Sequence, residues 1–178
     1  MPRWSIRQRR TAARLAAVQA LYAIEVAGGG AERLIADLAG KRWRANDEAA
    51  PDEAWLRLLV DGVDAQRARL DPEIDAALSQ GWSLERLELL LRAILRAGAF
   101  ELAEVSQVPT KVVINEYLDI AHAFYAGKEP GLVNAVLDRL ACRLRPDRGA
   151  TGVEVAEGED GASEDDGGNK GRRWTSSS

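Results

Sequence analysis

The chain has 178 residues, 46% of them hydrophobic, which is enough for one domain of about 140 residues around a single core. Its 24 basic and 28 acidic residues give a net charge of −4, yet the first 24 residues carry five arginines and no acid. Charged residues interrupt every apolar stretch, no secretory signal pattern is present, and a single cysteine excludes an internal disulfide. A cytoplasmic protein without a membrane anchor is therefore expected.

The first predicted element joins a cationic arm, residues 1–14, to an apolar helix. The arginines of the arm are Arg3, Arg7, Arg9, Arg10 and Arg14. At about 100 degrees per residue, all except Arg9 fall in one stripe. This stripe is expected to project beyond the core, because guanidinium groups are not buried unpaired. We expect the helix to cover about residues 8–26, to be anchored by Val18, Leu21 and Tyr22, and to end at Gly28.

Apolar residues then recur at spacings of three and four up to residue 145, which predicts an all-helical domain. With the first helix, the pattern gives seven segments, and the others are centred on residues 34–38, 55–63, 72–78, 83–102, 112–124 and 132–140. In the fourth, Asp71 is expected to be the N-cap and Pro72 the first helical residue. The fifth, beginning at Ser83, is the most hydrophobic and is expected to be the spine of the domain.

The domain is expected to end near residue 146. Residues 147–178 are rich in Gly, Ser, Asp and Glu and contain very few large apolar side chains. Such a segment cannot bury enough apolar surface to offset its ordering entropy, so the sequence predicts a disordered tail.

Few residues suggest catalysis. The only histidine, His122, is placed on a helix, and Glu101 and Glu116 are more typical of surface salt bridges. Cys142 is interpreted as a small core residue. Neither a phosphate-binding glycine loop nor a set of metal ligands is found, so we expect no enzymatic activity, no cofactor and no metal site.

The arm is the feature that suggests a partner. Its basic residues are all arginines, and arginine suits bidentate phosphate contacts and stacking on unpaired bases. Charge and composition leave two explanations open: a nucleic-acid-binding element, RNA or DNA, and a merely solubilising terminus.

Four stretches of the chain resemble the NusB family of bacterial transcription antitermination factors. They are RTAARLAAVQALY at 10–22, WSLERLELLLRAILRAGAFEL at 82–102, VPTKVVINEYLDIA at 108–121 and LVNAVLD at 132–138. Their order and spacing are similar to the family pattern across roughly residues 7–146. The chain departs from that pattern at Gly131 and Leu132, where the family often has a basic or polar residue and an aromatic one.

The resemblance implies a compact helical fold of two packed subdomains that binds RNA and is not an enzyme. The implied RNA is the single-stranded boxA element of ribosomal RNA leader transcripts. The implied protein partners are NusE, a small-subunit ribosomal protein, and, in a larger complex, NusA, NusG and RNA polymerase.

The resemblance and the arm together imply RNA contacts at Arg7, Arg9, Arg10, Arg14, Tyr22, Lys111 and Asn134. Arg10, Arg14 and Tyr22 match family positions directly, whereas Arg7 and Arg9 extend the basic arm. Tyr22 is equally well explained as a core residue. Lys111 and Asn134 match characteristic family positions and are equally well explained by local structure.

Two other interpretations remain open. A NusB-like domain also occurs at the N-terminus of certain ribosomal RNA cytosine methyltransferases, but the present chain has no parallel-sheet pattern or cofactor loop for such an activity. The other alternative is a helical adaptor whose arm binds nothing specific.

Overall fold

The computed structural model describes residues 4–28 and 49–146. Within these ranges it contains α-helices and a single short 3-10 helix, and no strand, in agreement with the all-helical prediction. The elements are α1 (Ile6–Ala27), α2 (Glu53–Ala77), the 3-10 helix (Leu84–Arg86), α3 (Leu89–Glu104), α4 (Thr110–Phe124) and α5 (Glu129–Leu144). None of the described helices is long and apolar enough to cross a membrane.

Helix α3 is the spine of the fold, as its hydrophobicity predicts. It contacts all four other α-helices, and residues 93–102 are buried on every face. Gly98 allows this close packing, because an added Cβ would lie only 2.9 Å from Leu137 Cδ2 and 3.3 Å from Tyr117 Cδ2. Helices α1 and α2 contact each other and α3, while α4 and α5 form a second such group. This grouping matches two helical subdomains that share a core.

Both ends of α1 follow from local sequence. Ser5 and Gln8 form a capping box, in which Ser5 Oγ accepts from the Gln8 amide at 3.3 Å and Gln8 Oε1 accepts from the Ser5 amide at 2.9 Å. At the other end, Gly28 adopts the left-handed region at φ 62° and donates to Ile24 O at 2.9 Å. The predicted end at Gly28 is confirmed.

The predicted helix start at Asp71 and Pro72 is wrong, because α2 runs through both residues without a break. Leu70 and Ile74 continue its buried face, and their burial contributes about 1.5–3 kcal/mol each. This offsets the roughly 3 kcal/mol that an internal proline costs. Asp71 is also engaged elsewhere, since Arg96 binds both of its carboxylate oxygens at 2.7 and 2.9 Å.

Five other predictions about elements and their boundaries differ in outcome. The spine helix begins at Leu89 rather than Ser83, because residues 84–86 form the separate 3-10 helix, which Ser83 precedes. The predicted short helix at residues 34–38 and the predicted disordered tail at 147–178 lie outside the described residues. The sixth and seventh predicted segments are confirmed as α4 and α5.

Two buried arginines, Arg96 and Arg145, connect helices through hydrogen bonds in addition to the apolar contacts of the core. Arg96 connects α1 and α2 to α3, since it also donates to Glu25 at 2.8 Å. Arg145, after α5, donates to the carbonyls of Glu101, Leu102 and Val105 at 2.6–3.0 Å. Glu101 O and Val105 O also accept backbone amides. All three carbonyls lie at the C-terminal end of α3, where a positive charge is favourable, so Arg145 caps the spine and connects it to α5.

Candidate nucleic-acid interface

The first two turns of α1 carry Arg7, Arg9 and Arg10, which we call the free arginines. Arg7 is exposed, and Arg9 and Arg10 are half-buried. Among the residues that the structure describes, none of the three forms an ion pair, whereas Arg14, Arg92 and Arg96 do. No carboxylate of the described residues therefore pairs with their positive charges. Arg3, the first member of the predicted stripe, lies outside the described residues.

Arg10 is held by an aromatic ring instead of a carboxylate. Its guanidinium carbon lies 4.1 Å from the ring centroid of Trp55, which is in the first turn of α2 and 5% exposed. The start of α2 is fixed against α1 in turn, since the Asp52 amide donates to Arg9 O at 3.0 Å. The apolar period around residues 55–63 predicts a helix that includes Trp55 but gives no sign of this contact.

Arg14 does not project from the core, so the prediction of a projecting stripe is wrong at this position. It is 3% exposed, and its guanidinium donates to Glu101 at 2.5–3.1 Å and lies 3.4 Å from Glu116. Burial disfavours its charge, but the hydrogen bond and negative charge of Glu101 more than offset this, so the pKa of Arg14 is raised above its ordinary value. The partner carboxylates make its burial possible.

Glu101 is the centre of this buried network, contrary to the expectation of a surface salt bridge. It is fully buried on α3 and also accepts a hydrogen bond from the Tyr117 hydroxyl at 2.9 Å. Burial and the charge of Glu101 raise the pKa of Tyr117 well above its ordinary value. Glu116, at the edge of the network, accepts from Thr11 at 3.1 Å. One carboxylate therefore connects α1, α3 and α4.

An open groove of about 510 Å³ runs between α1 and α4 beside the free arginines. Its α1 wall includes Arg7, Ala12 and Leu15, and its α4 wall includes Asp119 and Ile120. The groove is apolar along its floor and carries acids on the α4 side, which repel phosphate. Arg10 does not line this groove and lies on the α2 side of α1, against Trp55.

Tyr22 lies at the opposite end of α1 from the arginines, about 18 Å along the helix from Arg10 at 1.5 Å per residue. It is 41% exposed, so the expectation that it anchors α1 in the core is wrong. It shares an open cavity with Phe124 and Tyr125. Burial and a hydrogen bond to Glu88, at 3.0 Å, raise the pKa of Tyr125 to about 12. Exposed aromatic rings of this kind are suitable for base stacking.

Lys111 and Asn134 are not brought into contact with the arginines. Lys111 is exposed in the first turn of α4. Asn134 is half-buried on α5, where its amide donates to Asp138 Oδ2 at 3.1 Å, one turn further along the same helix. The seven residues predicted from sequence thus divide into four arginines on α1, of which Arg10 and Arg14 contact Trp55, and three separate positions.

No group of histidine, cysteine, aspartate or glutamate side chains suited to a metal ion occurs among the described residues. His122 is exposed on α4. Cys142 is exposed as well, so its interpretation as a core residue is wrong. It follows two buried residues, Leu140 and Ala141, but lies on the outer face of α5.

Comparison with protein families gives a match to the NusB family over residues 11–142. Among curated proteins, the transcription antitermination protein NusB of Bradyrhizobium sp. (strain ORS 278) is 49% identical over 144 residues, covering 78% of this chain and 85% of the relative. The NusB proteins of Nitrobacter hamburgensis and Brucella ovis are each 50% identical, and cover 77% and 80% of this chain and 88% and 86% of their own lengths.

Solved structures agree on the fold. NusB from T. maritima superposes with a TM-score of 0.68 at 25% identity, covering 78% of this chain and 95% of that one. A crystal structure of the antitermination factors NusB and NusE in complex with dsRNA matches with a TM-score of 0.65 at 23% identity. The match covers 76% of this chain and 97% of the matched chain.

Proposed function

Because this chain belongs to the NusB family of transcription antitermination factors, we propose that it binds the single-stranded boxA element of ribosomal RNA leader transcripts. The observation that carries RNA binding is the group of free arginines on α1, whose charge no carboxylate neutralises among the described residues. The family match begins at residue 11, so this part of the proposal is supported by charge and geometry and not by the match.

Single-stranded RNA is held by phosphate contacts and by stacking of its bases, and needs no catalytic group. Arg7, Arg9 and Arg10 provide the phosphate contacts, and the exposed ring of Tyr22 provides a stacking surface further along α1. Lys111 and Asn134 are secondary contacts in this proposal. Arg14 is not an RNA contact in this proposal and has a structural role, since its guanidinium is already bound by Glu101.

We further propose that RNA is bound together with NusE, and that the pair acts in a larger complex with NusA, NusG and RNA polymerase in the cytoplasm. The choice of NusE as the partner is motivated by the match to a structure in which another NusB is in complex with NusE and dsRNA. The protein acts as a binding factor and not as an enzyme. Residues 1–146 form the RNA-binding domain in this proposal, and residues 147–178 are a tail.

The test is a fluorescence anisotropy titration of a boxA-like RNA at several salt concentrations, with and without NusE. We expect tighter binding with NusE, and a log-log salt slope whose magnitude falls by about 0.7 for each of Arg7→Ala, Arg9→Ala and Arg10→Ala. That value is the contribution of one phosphate contact in a single strand.

Arg69→Ala is the matched control, because Arg69 is also an exposed helical arginine but is paired with Glu104 on another face of the domain. Its slope is expected to equal that of the unmodified protein. Equal affinity for a scrambled RNA would overturn the boxA assignment, and unchanged slopes in all three arm variants would overturn the RNA-binding role of the arm.

A further inference from the structure

The ring of Trp55 is in contact with two arginines that are held in different ways. The guanidinium carbon of Arg10 lies 4.1 Å from its centroid and that of Arg14 lies 5.7 Å away. Arg14 is also bound by two carboxylates, whereas Arg10 has none among the described residues. The indole is therefore the main constraint on the Arg10 side chain.

Trp55 itself is fixed. It is 5% exposed, its amide donates to the N-cap carboxylate of Asp52 at 3.2 Å, and the neighbouring Asp52 amide is bonded to Arg9 O. The indole Nε1 is buried and has no hydrogen-bond partner in the described part of the chain. The polar atom of the ring is thus unused, and the face of the ring makes the interaction with the arginines.

An aromatic ring and a carboxylate have different consequences for an arginine. A carboxylate fixes the guanidinium and cancels its charge, as Glu101 does for Arg14. A ring face fixes the guanidinium through the cation–π interaction and leaves its full positive charge in place. It also leaves the in-plane N–H groups directed away from the ring, where they are suited to a phosphate.

We propose that Trp55 is a positioning residue that holds Arg10 ordered and charged for contact with an RNA phosphate. This inference rests on the proposed RNA-binding function. The Nε of Arg10 is buried without a hydrogen-bond partner among the described residues, so the terminal guanidinium nitrogens are the ones that bind phosphate in this proposal. Pre-ordering the side chain reduces the conformational entropy that is lost when RNA binds.

The test is a double-mutant cycle on the full-length protein with NusE present, using a boxA-like RNA as the probe. Arg10→Ala is expected to weaken binding about tenfold or more, since it removes a charge-assisted hydrogen bond. Trp55→Leu is expected to weaken binding about threefold to tenfold and to have no further effect when Arg10 is already alanine. Trp55→Phe, which keeps a ring, is expected to restore most of the affinity.

Folding is controlled with Val63→Ala, a fully buried position two turns further along α2 that does not contact Arg10. It destabilises the same helix and is expected to leave RNA affinity unchanged. If Trp55→Leu does not fold, a second cycle made of Trp55→Phe, Arg10→Lys and the variant with both substitutions measures the same coupling.

The outcomes separate the two proposals. If Arg10→Ala weakens binding while Trp55→Leu has no effect, or an effect of equal size in the presence and absence of Arg10, the positioning inference is overturned and the proposed function stands. If Arg10→Ala leaves both affinity and salt slope unchanged, Arg10 is not an RNA contact and the positioning inference falls with that assignment.

Discussion

The two ends of the arginine stripe on α1 carry the same type of residue at helical spacing, but only one end is paired with carboxylates of the described residues. Arg14 is enclosed by the carboxylates of Glu101 and Glu116 on α3 and α4. Arg7 and Arg10, two turns and one turn earlier, contact no carboxylate among the described residues, and Arg10 lies on the Trp55 ring. The stripe therefore changes, within two turns of one helix, from a surface suited to an anionic partner into part of the core.

This difference shows that the neighbouring helices, and not the arginines themselves, decide which guanidinium is available. Helix α1 is flanked at Arg14 by Ala13, Ala16 and Ala17, all fully buried, which lets α1 pack close to its neighbours. A charge at that position is tolerated because a buried acid faces it. Toward its N-terminus, α1 extends past this acid, and Arg7, Arg9 and Arg10 form no ion pair with any described residue.

The comparison is tested most strongly by removing the buried acid. Glu101→Gln preserves shape but leaves the Arg14 guanidinium buried without its main counter-charge. We expect the free energy of unfolding to fall by about 3–5 kcal/mol. Urea unfolding followed by circular dichroism measures it, and failure to fold would be the extreme form of the same result.

Glu104→Gln is the matched control, because Glu104 lies on the same helix and pairs with Arg69 at 2.5 Å at the surface. Both side chains of this pair are exposed, so the loss of the pair is expected to lower the free energy of unfolding by less than about 1 kcal/mol. Equal effects of the two variants would mean that the Arg14 pair is no more important to the fold than a surface pair.

Tyr117→Phe is expected to have the next largest effect. It removes the hydroxyl that donates to Glu101 at 2.9 Å, and a hydrogen bond to a charged group contributes about 1.5–3 kcal/mol. The same urea unfolding experiment measures the loss. A change below about 0.5 kcal/mol would indicate that Arg14 alone satisfies the Glu101 carboxylate.

The pH dependence gives a second test of this residue. The pKa of Tyr117 is raised in the folded protein, so its stabilising contribution is complete below the unfolded value of about 10 and is lost as the pH rises above it. Stability is therefore expected to decline more steeply above about pH 10 in the unmodified protein than in Tyr117→Phe. Parallel pH profiles would contradict this.

Much of the fold follows from local sequence. The apolar period of α3, the glycine after α1 and the proline before α4 are local signals, and each predicts a helix that is present. Two boundaries differ. Helix α3 begins at Leu89 and not at Ser83, and the local signal for a helix start at Pro72 is overridden by burial of Leu70 and Ile74 and by the Arg96 contact to Asp71. Such contacts join residues distant in sequence and leave no mark on a local pattern.

The candidate site was less predictable for the same reason. Charge identified Arg7, Arg9 and Arg10, but nothing near Arg14 in the sequence indicates that Glu101, 87 residues later, will neutralise it. One signal was available: Glu101 follows Phe100 and precedes Leu102 in the most apolar helix, where an acid is expected to have a buried partner. The contact of Trp55 with Arg10 could not be predicted, because a tryptophan at the start of an apolar helix is typical of an ordinary core residue.

The smallest expected effect is the stability change on removing a free arginine. Arg7→Ala is predicted to alter the free energy of unfolding by less than about 0.5 kcal/mol, because Arg7 is exposed and forms no ion pair with any described residue. Arg14→Ala, by contrast, leaves Glu101 buried without its cation and is expected to be strongly destabilising. Urea unfolding of both variants compares the two ends of the stripe directly. A large loss of unfolding free energy for Arg7→Ala would mean that Arg7 stabilises the fold and is not simply an exposed side chain available to a binding partner.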